Sequence, residues 1–278
     1  MASIQAYKAA LEWHLDNGAD EALENEPPKR QPQAVTETPV FESLPEKAPA
    51  MAAPPAVQLL GRNDARAESE KLAAAANTLD ELREAIQSFD GIALKKTATN
   101  LVFCDGNPCA SVMLVGEAPG ADEDRLGKPF VGVSGQLLDK ILKCINLDRK
   151  EEDPARAIYI SNILNWRPPG NRTPSPAEID VSLPFIEKHI ALVKPKLLIL
   201  CGGVSAKALL NTEQSVSRLR GKWHDYTPSS PFLKDVAPIP AIATYHPAYL
   251  LRTPSQKRAV WQDMLTLQSK YLEIGQKT

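Results

Sequence analysis

The sequence lacks any apolar run that approaches the roughly 18 residues needed to cross a bilayer. Its N-terminus also lacks the basic stretch followed by an apolar core that marks a secretory signal. With only four cysteines and no export signal, we expect free thiols rather than disulfides. The sequence therefore predicts a soluble, cytoplasmic protein that makes no contact with a membrane.

The four cysteines also lack the grouping of a metal site. Cys104 and Cys109 lie five positions apart, but no second close pair accompanies them, since Cys144 and Cys201 stand alone. We therefore expect no bound metal.

Charge is distributed unevenly along the chain. Residues 1–90 carry eight Lys or Arg against sixteen Asp or Glu, a net charge of -8, whereas residues 91–278 carry 24 against 18, a net charge of +6. A moderately basic segment suits a polyanionic partner such as nucleic acid, although the same excess is common in proteins that bind none. Length and charge together predict one main domain with an N-terminal extension.

The extension divides into three predicted parts. Residues 1–23 have the spacing of a short amphipathic helix, which docks on a partner protein or on the main domain. Residues 24–60 contain eight prolines and predict a disordered linker. Residues 61–90 predict a helical lead-in, interrupted at residues 77–79, before the main domain at 91–278.

The main domain alternates short apolar segments with amphipathic ones, which predicts an α/β fold with a parallel sheet covered on both faces. We expect a three-layer α/β/α arrangement with a central, mainly parallel four-stranded sheet. Ligands of such sheets bind at the loops that follow the carboxyl ends of the strands. The predicted strands are Ser111–Val115, Ala157–Ile160, Leu197–Cys201 and Pro240–Ala243, and the predicted helices are 134–146, 176–193, 204–210 and 255–272.

The loop after the first strand, residues 116–124, contains two glycines, a proline and four carboxylates. Glycines let a backbone approach a ligand, and carboxylates orient water or bind metal. An acidic surface loop that caps the next helix is the alternative. Phe130 follows, held between a proline and a glycine, which suits either a ring that stacks on a planar ligand or a core phenylalanine.

The loops after the second and last strands carry further polar groups. Residues 162–174 contain three asparagines and two arginines, groups that read base edges and hold phosphates, although a stiff surface loop is equally consistent. His246 follows the last strand and precedes Pro247, two leucines and an arginine. A lone histidine is more often structural, but this order suits a pocket beside a wedge that fills the gap left by an extruded base.

Four segments, GEAPGADEDRLGKPFVGVSGQLL, SNILNWRPPGNRTPSPAE, RG at 220 and 221, and YHPAYLLR, stand in the order of the motifs of the uracil-DNA glycosylase superfamily. The chain most resembles family 4, over about residues 90–270. The resemblance implies a base-excision repair enzyme that flips uracil out of DNA and hydrolyses its N-glycosidic bond, leaving an abasic site. It implies a monomer that acts on uracil-containing DNA, single- or double-stranded, without a metal or an organic cofactor.

The resemblance implies a role for each site residue. Phe130 should stack on the flipped base, Asn162 should bind its pairing edge, and His246 should donate to uracil O2 as negative charge builds there. The best-known members place an aspartate where this chain has Ala118, so another carboxylate must place the attacking water. Glu123 is preferred for this role over Asp122 and Asp124. The expected catalytic residues are Glu123, His246 and Asn171, and the expected substrate-binding residues are Gly116, Glu117, Ala118, Phe130 and Asn162.

The predicted DNA contacts lie on the same loops. Arginines should hold phosphates, and bulky side chains after His246 should probe the duplex. Tyr249 and Leu250 packing beneath the final helix is the alternative. The predicted DNA-binding residues are Arg167, Arg172, Tyr249, Leu250 (or Leu251) and Arg252.

Family 4 members hold a four-iron cluster on four cysteines, and the corresponding positions here are Phe89, Ile92, Trp166 and Ser182. All four ligands are missing, so we predict that no iron-sulfur cluster is present. The apolar residues should instead pack together, with about 1.5–3 kcal/mol of stabilisation for each large side chain. One superfamily branch bonds covalently to DNA through a loop histidine, but residues 167–174 contain none, which predicts ordinary turnover.

Two other functions remain consistent with the sequence. Ala118 and Trp166 alter the surroundings of the pocket, so excision of hypoxanthine or xanthine by the same site is one alternative. A non-catalytic DNA- or lesion-binding module, tethered to a replication or repair protein by the N-terminal extension, is the other alternative. The intact Glu123, Phe130 and His246 argue against that second reading.

Overall fold

The computed structural model describes residues 62–275. The helix predicted at residues 1–23 and the linker predicted at 24–60 lie outside the described residues. The description begins with α1 (Arg62–Ala75) and α2 (Leu79–Ser88). Thr78 separates them as the N-cap of α2, because its side chain accepts a hydrogen bond from the N–H of Glu81. The interruption predicted at residues 77–79 occurs at 76–78, one residue earlier, because Leu79 already begins α2.

The sheet contains six strands in the order β1-β3-β2-β4-β6-β5. The four inner strands β3, β2, β4 and β6 are parallel and confirm the four predicted strands, whereas β1 and β5 pair antiparallel at the edges. The two edge strands were not predicted, because they are short and only partly buried, without a continuous apolar run. The strands are β1 (Asp105–Gly106), β2 (Val112–Gly116), β3 (Ile158–Asn162), β4 (Leu197–Cys201), β5 (Trp223–Tyr226) and β6 (Ile239–Thr244).

The remaining helices cover both faces of this sheet, which confirms the predicted α/β fold with its three layers. The four predicted helices occur within a few residues of their expected bounds, and three short α-helices of the described residues, at 121–126, 216–219 and 247–252, were not predicted. The helices are α3 (Ala121–Leu126), α4 (Val133–Lys143), α5 (Pro176–Val193), α6 (Gly203–Leu209), α7 (Val216–Leu219), α8 (Pro247–Arg252) and α9 (Lys257–Gly275).

Alternate residues of each inner strand enter two separate hydrophobic cores. Met113 and Leu198 pack in the core beneath α1, α2, α5 and α6. Val112 and Leu197 face the other way, into the core beneath α4, α8 and α9. Burial on both faces explains why these strands are apolar throughout rather than alternating with polar residues.

The carboxyl ends of β2, β3 and β6 meet at one edge of the sheet, where the unusual loops follow them. Between residues 62 and 275, no helix is both long and apolar enough to cross a membrane.

Candidate active site

A cavity of about 480 Å³ opens at this edge of the sheet. It brings together most of the residues that the sequence singled out, although Gly116, Arg167 and Leu250 do not line it. Residues that were not predicted also contribute, among them Ser134, Thr173 and Ala248, which are small and carry no distinctive sequence pattern. The predicted residues that line the cavity are Glu117, Ala118, Glu123, Phe130, Asn162, Asn171, Arg172, His246, Tyr249 and Arg252.

The floor of the cavity depends on a close approach at Gly116, the last residue of β2. A Cβ at this position would lie 2.3 Å from Asn162 Oδ1 and 2.6 Å from the ring of Phe130. Only glycine leaves room for both side chains, so Gly116 shapes the floor from behind.

Asn162 ends β3 and is 2% exposed. Its Oδ1 has no hydrogen-bond partner among the described residues. A buried acceptor without a partner is costly unless a ligand satisfies it. The geometry of this amide therefore suits a ligand that carries an N–H group.

Phe130 is 5% exposed and forms one wall of the cavity. Its ring stacks against that of His246, with centroids 5.3 Å apart and an angle of 28° between the rings. The backbone of Phe130 has a φ of 53°, a left-handed conformation that is rare for a bulky residue.

His246 is half-buried and caps the N-terminus of α8. Its Nδ1 accepts a hydrogen bond from the N–H of Ala248 at 3.2 Å, which assigns the proton of the neutral ring to Nε2. Burial lowers the pKa of His246 to about 4, although the nearby Glu123 carboxylate opposes that shift. At neutral pH the ring is therefore an uncharged donor through Nε2.

The RG motif holds the end of the strand that presents His246. Arg220 pairs with the buried Asp263 at 2.6 Å, and Asp263 also accepts a hydrogen bond from Thr244 at 2.7 Å. The guanidinium of Arg220 lies over the ring of Tyr245, 5.5 Å from its centroid. These contacts hold Thr244 and Tyr245, the two residues directly before His246, against Arg220 and α9.

Two carboxylates line the cavity and differ in how they are held. Glu123 Oε1 accepts hydrogen bonds from the N–H groups of Val131 (2.8 Å) and Gly132 (2.9 Å), and Oε2 accepts one from Gly120 (3.1 Å). Since a carboxylate has about four acceptor sites, Glu123 retains about one for a water molecule. Within the described chain, the Glu117 carboxylate makes no side-chain hydrogen bond, and burial raises its pKa.

Ala118 packs partly against the core beneath α1, α2 and α5. Its methyl group lines the cavity but offers no polar atom, so it cannot place a water.

The predicted polar side chains of the second loop pair with their neighbours. Arg167 donates to Asn171 Oδ1 at 2.7 Å, and Asn171 itself has a φ of 55°. Arg172 binds both carboxylate oxygens of Glu178, at 2.6 and 2.9 Å. The Arg172 hydrogen bond lowers the pKa of Glu178 to about 2, and Glu178 in turn accepts from the N–H of Ser175 at the start of α5.

The turn after His246 corrects one prediction. Leu250 is 0% exposed and packs in the core beneath α4 and α9, so its predicted contact with DNA is wrong. The helical phase of α8 turns Leu251 outward instead, and that side chain is 44% exposed. Tyr249 is half-buried, lines the cavity and contacts Tyr245, with ring centroids 5.0 Å apart.

The four positions that correspond to cluster ligands in family 4 do not fit an iron-sulfur cluster. Phe89, Ile92 and Trp166 are buried in one hydrophobic core, where Phe89 packs edge-on against Phe185. Ser182 is also buried, and none of the four side chains offers a thiolate. The absence of iron from the protein stays a prediction that elemental analysis would test.

The sequence similarity between this chain and known proteins extends over all the residues that line the cavity. The family model described as Uracil DNA glycosylase superfamily matches residues 103–265, which include every residue that lines the cavity. The chain is 34% identical over 190 residues to the type-4 uracil-DNA glycosylase of Pyrobaculum aerophilum, covering 67% of this chain and 91% of that protein. It is 34% identical over 190 residues to the type-4 uracil-DNA glycosylase of Archaeoglobus fulgidus, covering 67% and 89%. The corresponding protein of Sulfurisphaera tokodaii is 32% identical over 192 residues, covering 67% and 82%.

Proposed function

Because the chain belongs to the uracil-DNA glycosylase superfamily, we propose that it removes uracil from DNA in base-excision repair by hydrolysing the N-glycosidic bond. The product is an abasic site, and the enzyme is a hydrolase of N-glycosyl bonds. DNA that contains uracil is its substrate.

The observation that carries this proposal is the unpaired Oδ1 of Asn162. Uracil presents an N3–H donor beside the O4 acceptor, which matches an amide that presents an acceptor beside a donor. Cytosine presents the reverse pattern, so the same amide orientation disfavours it. The pocket thereby reads the one difference that deamination makes to the base.

Inside the cavity, the flipped base would lie on the Phe130 ring with its pairing edge against Asn162. Departure of the base leaves negative charge on it and an oxocarbenium-like sugar. The Nε2–H of His246 would donate to uracil O2 and stabilise the anion, as preorganised donors do in oxyanion holes. Because Nδ1 accepts from the N–H of Ala248, the neutral His246 ring carries its proton on Nε2, where it can give this hydrogen bond.

We assign the placement of the attacking water to Glu123, assisted by Asn171. Glu123 lines the cavity and keeps about one free acceptor site after its three backbone hydrogen bonds. Asn171 lines the same cavity from the loop that follows β3, and its amide would bind the same water.

The assignment to Glu123 is tested against Glu117, whose raised pKa also suits a base. Glu123→Gln should slow excision by about 100-fold or more. The glutamine carbonyl keeps the Val131 and Gly132 hydrogen bonds, but its amide group carries no charge and cannot accept from the N–H of Gly120. Asp122→Asn, a neighbouring exposed carboxylate, is the matched control and should change the rate less than about twofold. Full excision by Glu123→Gln together with a slow Glu117→Gln would transfer the role to Glu117.

We propose that DNA lies across the rim formed by Arg167, Arg172 and Arg252, with Tyr249 and Leu251 against the bases. Arg172 and Arg252 line the mouth of the cavity, and Leu251 is exposed beside it. We further propose a cytoplasmic monomer without a metal or organic cofactor, with the predicted N-terminal helix and linker available to bind a partner protein.

The proposal is tested with oligonucleotides that carry uracil, hypoxanthine or xanthine, single- and double-stranded, followed by alkaline cleavage of abasic sites. Cleavage at uracil is the expected result. Cleavage confined to hypoxanthine or xanthine would assign the same site to another deaminated base. No cleavage on any substrate, with binding retained, would favour a non-catalytic lesion-binding module.

A further inference from the structure

The backbone at Phe130 adopts a conformation that needs support. Its φ of 53° is unusual for an aromatic residue, and such a conformation persists only where the surrounding structure fixes it. The ring that this backbone carries is buried against Gly116 and His246 at the cavity wall. The groups that fix the backbone therefore decide where the ring lies.

Arg149 fixes the carbonyl side of this backbone. Its Nη1 donates to the carbonyl of Pro129 at 2.8 Å, and its Nη2 donates to the carbonyl of Phe130 at 3.0 Å. The side chain is only 6% exposed, and its charge is balanced by Asp139 at 2.8 Å and Asp105 at 3.2 Å. A planar guanidinium reaches both carbonyls and both carboxylates at once, which an ammonium group cannot.

Glu123 fixes the amide side of the same segment, through its hydrogen bonds from Val131 and Gly132. Helix α4 closes the space from below, because a Cβ at Gly135 would lie 1.9 Å from the carbonyl oxygen of Phe130. Two buried groups of opposite charge thus hold successive peptide groups on either side of Phe130.

We propose that Arg149 is a positioning residue for base stacking, which acts through the backbone of residues 129–132 to hold the Phe130 ring against the flipped base. The inference rests on the proposed function, because the base is the uracil of that reaction. Arg149 does not line the cavity itself, so its effect on the base passes entirely through Phe130.

A merely structural role for Arg149, joining β1 to α4 through Asp105 and Asp139, makes a different prediction. Loss of that role would lower stability and all activities together. Loss of the positioning role would weaken uracil binding selectively, and the weakening would disappear once Phe130 is removed.

The test is Arg149→Lys, made both in the natural chain and in a Phe130→Ala background. Arg156→Lys is the matched control, since Arg156 lies seven residues further along the chain, is exposed, and forms its ion pair with Glu151. Three quantities are measured: inhibition by free uracil, affinity for DNA without uracil, and hydrogen exchange at the N–H groups of Val131 and Gly132.

For Arg149→Lys we expect the inhibition constant of uracil to rise about tenfold, since stacking on an aromatic ring contributes on that order to base binding. Hydrogen exchange at Val131 and Gly132 should accelerate by a similar factor, and affinity for DNA without uracil should stay within about twofold. In the Phe130→Ala background the same change should alter the uracil constant less than about twofold.

An unchanged uracil constant in Arg149→Lys would overturn the inference, as would a tenfold effect that persists without Phe130. Failure of the natural chain to excise uracil is a separate result, because it would overturn the proposed function. Accelerated exchange at Val131 and Gly132 would still support the fixing of the loop by Arg149 in that event.

Discussion

The floor and walls of the cavity differ from its rim in how their side chains are held. Phe130 and Asn162 are almost fully buried, and the backbone around them is fixed by buried groups. At the rim, Arg167 is half-buried and pairs with Asn171 of its own loop, and Arg172 is exposed and pairs with Glu178 in the first turn of α5. Groups that stabilise a transition state must be fixed before the reaction, whereas groups that bind a flexible backbone can exchange partners.

This difference predicts that changes in the interior alter the rate of excision and that changes at the rim alter the affinity for DNA. Arg172 must give up a carboxylate of Glu178 before it can hold a phosphate, so part of its attraction for DNA is already offset. The comparison fails if an interior substitution changes only DNA affinity, or if a rim substitution changes only the chemical step.

The largest effect should come from His246→Gln. Removing one preorganised donor to a developing anion typically costs about 100- to 1,000-fold in rate, so single-turnover excision should slow by that factor. His224→Gln changes a histidine outside the cavity, whose ring contacts the carbonyl of Leu219, and should leave the rate near its natural value. A His246→Gln rate within about tenfold of the natural one would show that the ring is not a major donor.

The second largest effect should come from loss of the amide that binds the pairing edge of the flipped base. Asn162→Ala removes the only interior amide proposed to read the base, and the loss should be about 10- to 100-fold in kcat/KM for uracil. Asn165→Ala is the matched control, because this amide is also buried but donates to the carbonyl of Val102. The control should lower the free energy of unfolding by about 1 kcal/mol and leave excision by the folded protein unchanged. Equal losses of excision in both variants would show that Asn162 has no specific role in recognising the base.

A third prediction concerns the pH dependence of stability. It distinguishes His189, which lies in the core, from His246, which lies in the cavity. Burial lowers the pKa of His189 to about 3, from an ordinary value of 6.5, and its ring bonds the hydroxyl of Tyr159 at 2.8 Å. Between these pH values the unfolded chain binds a proton that the folded chain does not, so stability falls as pH decreases from 6.5 towards 3. The slope is about 1.4 kcal/mol for each pH unit.

His189→Gln should reduce this slope by about 1.4 kcal/mol for each pH unit in urea unfolding curves recorded between pH 6.5 and pH 4. The part of the slope that comes from His246, whose pKa is also lowered by burial, should remain. Its excision rate at pH 7.5 should stay close to the natural one, since His189 lies in the core away from the cavity. If the variant unfolds with the same pH dependence as the natural chain, burial of His189 is not the source of the slope.

The sequence predicted the interior of the molecule better than its details at the carboxyl edge. The four parallel strands are continuous apolar runs, which burial on both faces requires, so their bounds were predicted to within one or two residues. The edge strand Asp105–Gly106 has only two residues and no such pattern. Helix α3 was missed because it has only six residues, three of them acidic in succession, and such a segment resembles a solvated loop.

At the site, the residue types were predictable but their orientation was not. Leu250 and Leu251 are identical in sequence terms, and only the phase of α8 buries one and exposes the other. Arg149 lies in a run of charged residues, 148–153, which predicts a solvated surface. Its burial depends on carbonyls that are 19 and 20 residues away in the chain, and no local pattern reveals such contacts.

The smallest effects should come from the rim. Arg252→Gln should reduce the slope of log K against log salt concentration by about 0.9 for double-stranded DNA, the value for one phosphate contact. Arg172→Gln should reduce it less, because the natural arginine already gives its charge to Glu178. Losing that pair should change the stability of the fold little, since Arg172 is exposed. Binding titrations between low and moderate salt measure both slopes. Equal reductions in the two variants would mean that DNA releases Arg172 from Glu178 completely, and the rim would then be as free to bind phosphate as an unpaired surface.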